Sequence, residues 1–311
     1  MQEKKYRLIT RSNLDGIISA VLLKKLNLID ESLFVHPKDV QDGKIKIDSN
    51  DIVTNLPYVN SAHMAFDYKI DIHDKDIKLN PHHALFTDAH SASQIIYEYY
   101  DCDESLGSNL YFLVDIANRA NRADYTKDEI LSPKGWDLLT FLTDPRTGLG
   151  RFKNFSISNY ALMSKLIDLI LNYDIDEILA IDDIKERIEL YNKYQEDSIN
   201  QLKRCITIEN NIGVIDFRDE EVIYPTNRFM VYALFPQIDS SIHILNGVNN
   251  QNIVFALGKS IFNKNNKNSI CEIVSKYGGG GHSSAGTAQV SHEDALRVKS
   301  ELIDLLKQEQ K

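Results

Sequence analysis

The feature that most constrains this chain is its opening third, where short apolar strands alternate with turns and helices. Residues Tyr6–Thr10 read as a buried strand, Ser12–Gly16 as a turn, and the run IISAVLLKKL as an apolar helix. Further strands are expected at Leu33–His36, Asp51–Leu56, His63–Asp67 and Ala84–Asp88. A helix is expected over Ser91–Tyr100, capped by Ser91 or Ser93. Alternating strands and helices point to an α/β fold with a largely parallel sheet. Ligands of such sheets sit at the carboxyl ends of the strands.

From about Asn109 to Leu171 the pattern is mostly helical. Asp176–Arg204 reads as one or two long charged helices, with i,i+4 pairs at Asp183–Arg187, Lys185–Glu189 and Glu189–Lys193. Such a helix is a solvated face and also suits a connector. From Ile206 the texture changes. TIENNIGVIDF, FMVYALF, SIHILNG and NIVFALG read as strands, Ser269–Tyr277 as a helix, Gly286–Val290 as a last strand, and HEDALRVKSELIDLLKQ as a closing amphipathic helix. The expected layout is an N-terminal parallel-sheet domain at 1–185, a helical connector at 186–205, and a smaller C-terminal mixed α/β domain at 206–311.

The 311 residues carry 35 Lys+Arg against 45 Asp+Glu, a net charge of −10. That argues against a partner of long nucleic acid, which would need a basic face to displace counterions. A small anion in a local pocket remains compatible with it. The three cysteines, Cys102, Cys205 and Cys271, are far apart and show no zinc spacing, which fits a reducing cytoplasm. The start MQEKKYRLIT does not read as a signal peptide, and no apolar run reaches the roughly 18 residues of a membrane span.

Three segments carry chemistry. Arg11-Ser12-Asn13-Leu14-Asp15-Gly16 ends a strand and opens a helix, where Gly16 permits close backbone approach and the helix N-terminus favours an anion. Asp15 reads as a metal ligand; the plainer alternative is that Asn13 or Asp15 simply caps the helix. Asp67-Tyr68-Lys69 ends the fourth strand and taken alone is a surface turn. Gly278-Gly279-Gly280-Gly281-His282-Ser283 lies between patterned elements, so a flexible linker fits poorly. Its bare N–H groups read as a loop that wraps a phosphate or carboxylate, with His282 and Ser283 as further donors.

These blocks resemble the DHH family of phosphoesterases with the DHH-associated C-terminal domain, within the RecJ-like superfamily. The closest likeness is to the exopolyphosphatase-related subgroup. TRSNLDGIISAVLLKKL, FVHPKDVQDGK, TNLPYV, HMAFDYK, DPRTGLGRFKNFSISNY, NRFMVYALFPQ, GKSIFNKNNK and KYGGGGHSSAGT carry the resemblance and span nearly the whole chain. The resemblance implies a pair of Mn²⁺ or similar ions that activate water and clamp the scissile phosphate. It also implies that the ligand occupies an interdomain cleft and that Arg228 and Lys259 contact it in the C-terminal domain, the plainer alternative being that both are ordinary surface charge.

The departures fall on the implied metal ligands. The family's D-x-D-G is Asn13-Leu14-Asp15-Gly16; a later Asp corresponds to Asn55; D-H-H is Asp67-Tyr68-Lys69; and a last Asp corresponds to Asn121 in Asn121-Arg122-Ala123. Asp115, nearby, is an alternative for that last role. Asn, Tyr and Lys are poor replacements for carboxylate and imidazole. Lys69, with Arg122 and Arg11, offers positive charge where a metal would sit. Asp15, Asp67 and Asp115 are the residual metal candidates, with His63, His82 or His83 as a possible complement. Arg146 and Arg151 line the cleft or make structural salt bridges. The expectation is a catalytically impaired homologue without cofactor that binds a nucleotide, short oligonucleotide or other phosphate-rich ligand as a homodimer. The alternatives are an active phosphodiesterase or exopolyphosphatase using Mn²⁺ or Mg²⁺ at an altered site, and a scaffold that keeps only the fold.

Overall fold

A computed structural model of the protein describes residues 4–68, 82–86, 88–107 and 110–307. The chain divides into two compact units, Met1–Tyr125 with Pro133–Leu190, and Thr126–Ser132 with Tyr191–Lys311.

The first unit is built on strands β1 (Tyr6–Arg11), β2 (Ile29–Val35), β3 (Asp51–Thr54), β4 (Met64–Asp67) and β5 (His83–Leu85), in the order β2-β1-β3-β4-β5. Every pairing is parallel. A parallel sheet is covered on both faces, and the inner strands β1, β3 and β4 are accordingly largely buried rather than alternating, while the edge strand β2 exposes Asp30 and Glu31. The helix Leu14–Lys25 is buried from Leu14 through Leu23 and packs against helices Ala92–Tyr99, Tyr111–Arg122 and Asn159–Asn172. That stretch is apolar nearly all round because it has no solvent face. Ser91 caps Ala92–Tyr99, accepting from the Gln94 amide.

The charged stretch after Ile175 forms three helices, Ile175–Leu179, Asp182–Lys193 and Gln195–Cys205. It is not the solvated face expected at Arg187, which is 1% exposed. The Arg187 guanidinium donates to the carbonyls of Asp183 (2.6 Å) and Ile157 (2.7 Å) and lies over the Phe155 ring. The Asp183 carboxylate pairs with Lys165 instead. The expected i,i+4 pair is replaced because Arg187 points inward, where backbone carbonyls need donors.

The second unit holds a mixed sheet of six strands, in the order β10-β11-β9-β8-β7-β6. They are β6 (Ile206–Glu209), β7 (Ile212–Asp216), β8 (Ser240–Asn246), β9 (Ile253–Lys259), β10 (Gly280–His282) and β11 (Ala285–Val290). Helices Ile270–Ser275 and Ala295–Lys307 cover one face, closing a core of Ile242, Phe255, Ile270, Val274, Val298 and Leu302. The segment Thr126–Ser132 is held within this unit by Asn227 Nδ2, which donates to the Ile130 carbonyl at 2.9 Å. FMVYALF, expected as a strand, contains the helix Met230–Leu234. A short apolar run buried on all sides has no period that separates helix from strand.

Candidate active site

Because all five strands of the first sheet run parallel, their carboxyl ends form one edge. Arg11, Asn55 and Asp67 end or follow neighbouring strands there, in the register Thr10↔Thr54 and Thr54↔Phe66. Beneath that edge the hydroxyls of Thr10 and Thr54 bond at 2.7 Å and tie β1 to β3. The turn after β1 is tight. A Cβ on Gly16 would stand 2.1 Å from the Arg11 carbonyl oxygen, so only glycine fits. Asn13 caps the helix Leu14–Lys25, its Oδ1 accepting from the Gly16 amide at 3.0 Å and from Asn55 Nδ2 at 3.2 Å. Asn55 sits in the left-handed region at φ +56°, which asparagine tolerates well.

Asp15 is 1% exposed and fully engaged. Its Oδ1 accepts from the amide (3.0 Å) and hydroxyl (2.9 Å) of Ser93, and its Oδ2 accepts from the Ala92 amide (3.1 Å) and Asn121 Nδ2 (3.0 Å). A carboxylate offers about four acceptor positions, and four donors fill them. The carboxylate thus closes the positive N-terminus of the helix Ala92–Tyr99. Asn118, which sequence reasoning passed over, is 4% exposed and accepts from Ser91 Oγ at 2.6 Å. The signal for it was the ANRANR repeat, whose i,i+3 asparagines share one helix face.

Asp115 stands exposed on the same helix, while Asn121 reaches Asp15. Arg122 is exposed and faces Asp124 at 3.9 Å. His63 stacks on Tyr6 at 3.9 Å and lies near His82, at the amino ends of the strands, opposite the candidate site. His83 is buried within β5 and stacks on Tyr58. These histidines do not complement Asp67, because a parallel sheet separates its two ends. Lys69 lies outside the described residues.

The charge at the edge centres on Arg11. Burial, and then the like charge of Arg146, lower its pKa from the usual guanidinium value, while Asp144, Tyr68 and Asp15 act in the opposite sense. Arg146 is itself held by Asp144 through two bonds, Nε–Oδ1 at 2.7 Å and Nη2–Oδ2 at 2.6 Å. Arg151 folds over Gly148, where any Cβ would collide with its Nη1. Tyr68 is buried, and burial followed by the Asp15 charge pushes its phenol pKa upward, so it stays a neutral hydroxyl. His36, which caps the short helix after β2, has its pKa lowered by burial and then by Arg11.

These residues do not fit a metal pair. Asn13, Asn55 and Asn121 are neutral, Asp15 has no acceptor position left, and among the described residues no three His, Cys, Asp or Glu side chains converge.

In the second unit the glycine run takes a different form from the wrapped loop expected. Gly278 closes the helix Ile270–Ser275 at φ +70°, and the Gly279 amide donates back to the Val274 carbonyl at 3.0 Å. Gly280–His282 then forms β10, an exposed edge strand paired with β11, with Ser283 and Ser284 at the turn. A Cβ on Gly281 would meet the Ala285 carbonyl oxygen at 2.3 Å, so close strand approach requires this glycine. His282 Nδ1 accepts from the Ser284 amide at 3.3 Å. Lys259 donates to the Asn268 carbonyl at 2.7 Å, and Arg228 lies over the Phe229 ring at 4.3 Å.

The chain is 46% identical to a pGpG-specific phosphodiesterase, PggH from Vibrio cholerae. The match covers 97% of this chain and 99% of that one, with a TM-score of 0.80. RecJ from Thermus thermophilus in complex with Mn²⁺ is similar in fold at 12% identity and a TM-score of 0.56, over 98% of this chain and 52% of that one. Another structure, of exonuclease RecJ bound to manganese, matches at 12% identity and a TM-score of 0.53, over 100% and 92%. No family model and no curated protein matches the chain. The likeness to a phosphodiesterase over nearly the whole length overturns the expectation of a catalytically impaired homologue. The physical error lay in treating Asn for Asp as loss: the asparagines form an ordered, bonded set around Asp15 and Asn13 rather than a slack pocket.

Proposed function

The chain belongs to the DHH family of phosphoesterases, and from that premise we propose that it is an active phosphodiesterase for a short linear dinucleotide of the pGpG kind. The observation that carries the reading is the 46% identity, over 97% of the chain, to a phosphodiesterase specific for pGpG. The ordered edge around Arg11, Asn13, Asn55 and Asp67 supports it, since open α/β sheets bind ligands there. Divalent metal is part of this reading, in place of the expected absence of a cofactor, because RecJ structures of the same fold hold manganese. The donor set is poor for a metal pair, so the expected signature is weak metal affinity. Turnover is lost in EDTA and rises with added Mn²⁺ well beyond equimolar amounts.

The test is chromatography of pGpG incubated with the full chain, with Mn²⁺ or Mg²⁺ supplied, beside inorganic polyphosphate. Formation of GMP from pGpG without phosphate release from polyphosphate is expected. No GMP with either metal would overturn the reading, and phosphate release alone would favour an exopolyphosphatase.

A further inference from the structure

We propose that the Arg11 guanidinium binds the scissile phosphodiester directly, bringing to the sheet edge positive charge that the residues present are ill suited to bring by holding a metal pair. This deepens the proposed function and rests on it.

The placement comes first. Arg11 is the last residue of β1, and β1 lies between β2 and β3. It therefore stands in the row that Asn55 and Asp67 continue, at the carboxyl edge. Its side chain is half-buried. Among the described residues no hydrogen-bond acceptor meets its guanidinium. Five N–H donors in a planar fork, set into the protein without an acceptor, are costly unless an anion or water completes them.

The neighbours explain why Arg11 stays available. Asp144 acts on Arg11 only through its charge, and each of its oxygens already accepts from Arg146. Asp15 is saturated by Ser93, Ala92 and Asn121. Of the remaining groups along the edge among the described residues, Asn13, Asn55 and Tyr68 are neutral and Asp67, at the end of β4, is the one carboxylate. Carboxylates at positions 13 and 55 would repel a phosphate or demand a metal; amides do neither. The Asn-for-Asp exchanges and the unmet arginine thus belong to one device, a fork that matches two phosphate oxygens.

The experiment uses two hydrolysis-resistant analogues of pGpG, one with a charged phosphorothioate linkage and one with a neutral methylphosphonate linkage. Affinities are measured by calorimetry on the full chain, without added metal, for the wild type, Arg11→Ala, Arg11→Lys and Asn55→Asp. The wild type is expected to prefer the charged linkage at least tenfold. Arg11→Ala should abolish the preference while holding the neutral analogue as tightly as before, Arg11→Lys should keep part of it, and Asn55→Asp should reduce it. A preference that survives in Arg11→Ala, or an equal loss for both analogues, overturns the proposal. Selective binding without any hydrolysis of pGpG would sink the proposed function and leave the Arg11 site standing; a wild type that binds neither analogue sinks both.

Discussion

Asn121 joins two helices to one buried charge. Its Nδ2 donates to Asp15 at 3.0 Å and to the His90 carbonyl at 3.1 Å. Asn121→Asp would turn that donor into an acceptor and set two carboxylates face to face. A hydrogen bond to a charged group contributes about 1.5–3 kcal/mol, and its loss leaves Asp15 one donor short. At about 2–4 °C per kcal/mol for a unit of this size, the melting temperature without metal should fall by roughly 3–12 °C. The same variant restores a family carboxylate beside Asp15, so added Mn²⁺ should raise its melting temperature more than that of the wild type, by mass action. Thermal scans with and without metal decide this, and an unchanged melting temperature would show that Asn121 does not hold Asp15.

At the scale of elements, legibility followed burial on two sides. All five strands of the parallel sheet were readable, with ends shifted by a few residues; the inner strands were legible as short apolar runs between turns, and β2 only at its buried end, since Asp30 and Glu31 at its start are exposed and charged. The cap at Ser91 was readable for a local reason, a hydroxyl three residues before an amide that needs it. FMVYALF was not readable, because its fate depends on what surrounds it. Nor was the bonding of Asp15, whose partners lie 77 to 106 residues away. The motif that names a family was legible; what each residue does in it was set by long-range contacts. One element also carries a pH dependence. Burial pushes the His243 imidazole on β8 down to about 4. The unfolded chain binds that proton near 6.5, so His243 leaves the fold at full stability above 6.5 and costs stability as pH falls towards 4. Between pH 7 and pH 5 the urea midpoint of the wild type should fall further than that of His243→Gln. Equal falls would place the pH sensitivity elsewhere.

At the scale of the whole molecule, charge decides which phosphodiesters can approach. The chain carries −10 overall, and its exposed ion pairs, such as Arg297 with Asp294 and Glu301, leave little net positive surface on the elements that hold them. A long single strand brings many phosphates and gains by releasing counterions to a basic face, which this composition does not supply. A dinucleotide brings few charges, and one half-buried arginine can meet its linkage. Length selectivity therefore follows from electrostatics before any base is read. With pGpG and a 5′-phosphorylated 20-mer at equal concentration, turnover should be confined to the dinucleotide, and lowering the salt should not bring the 20-mer in, because repulsion between like-charged bodies grows as screening weakens. Gel and chromatographic assays at two ionic strengths read this directly. Degradation of the 20-mer that strengthens at low salt would mean that a basic track exists on the folded surface, and the selectivity for short substrates would then need another cause.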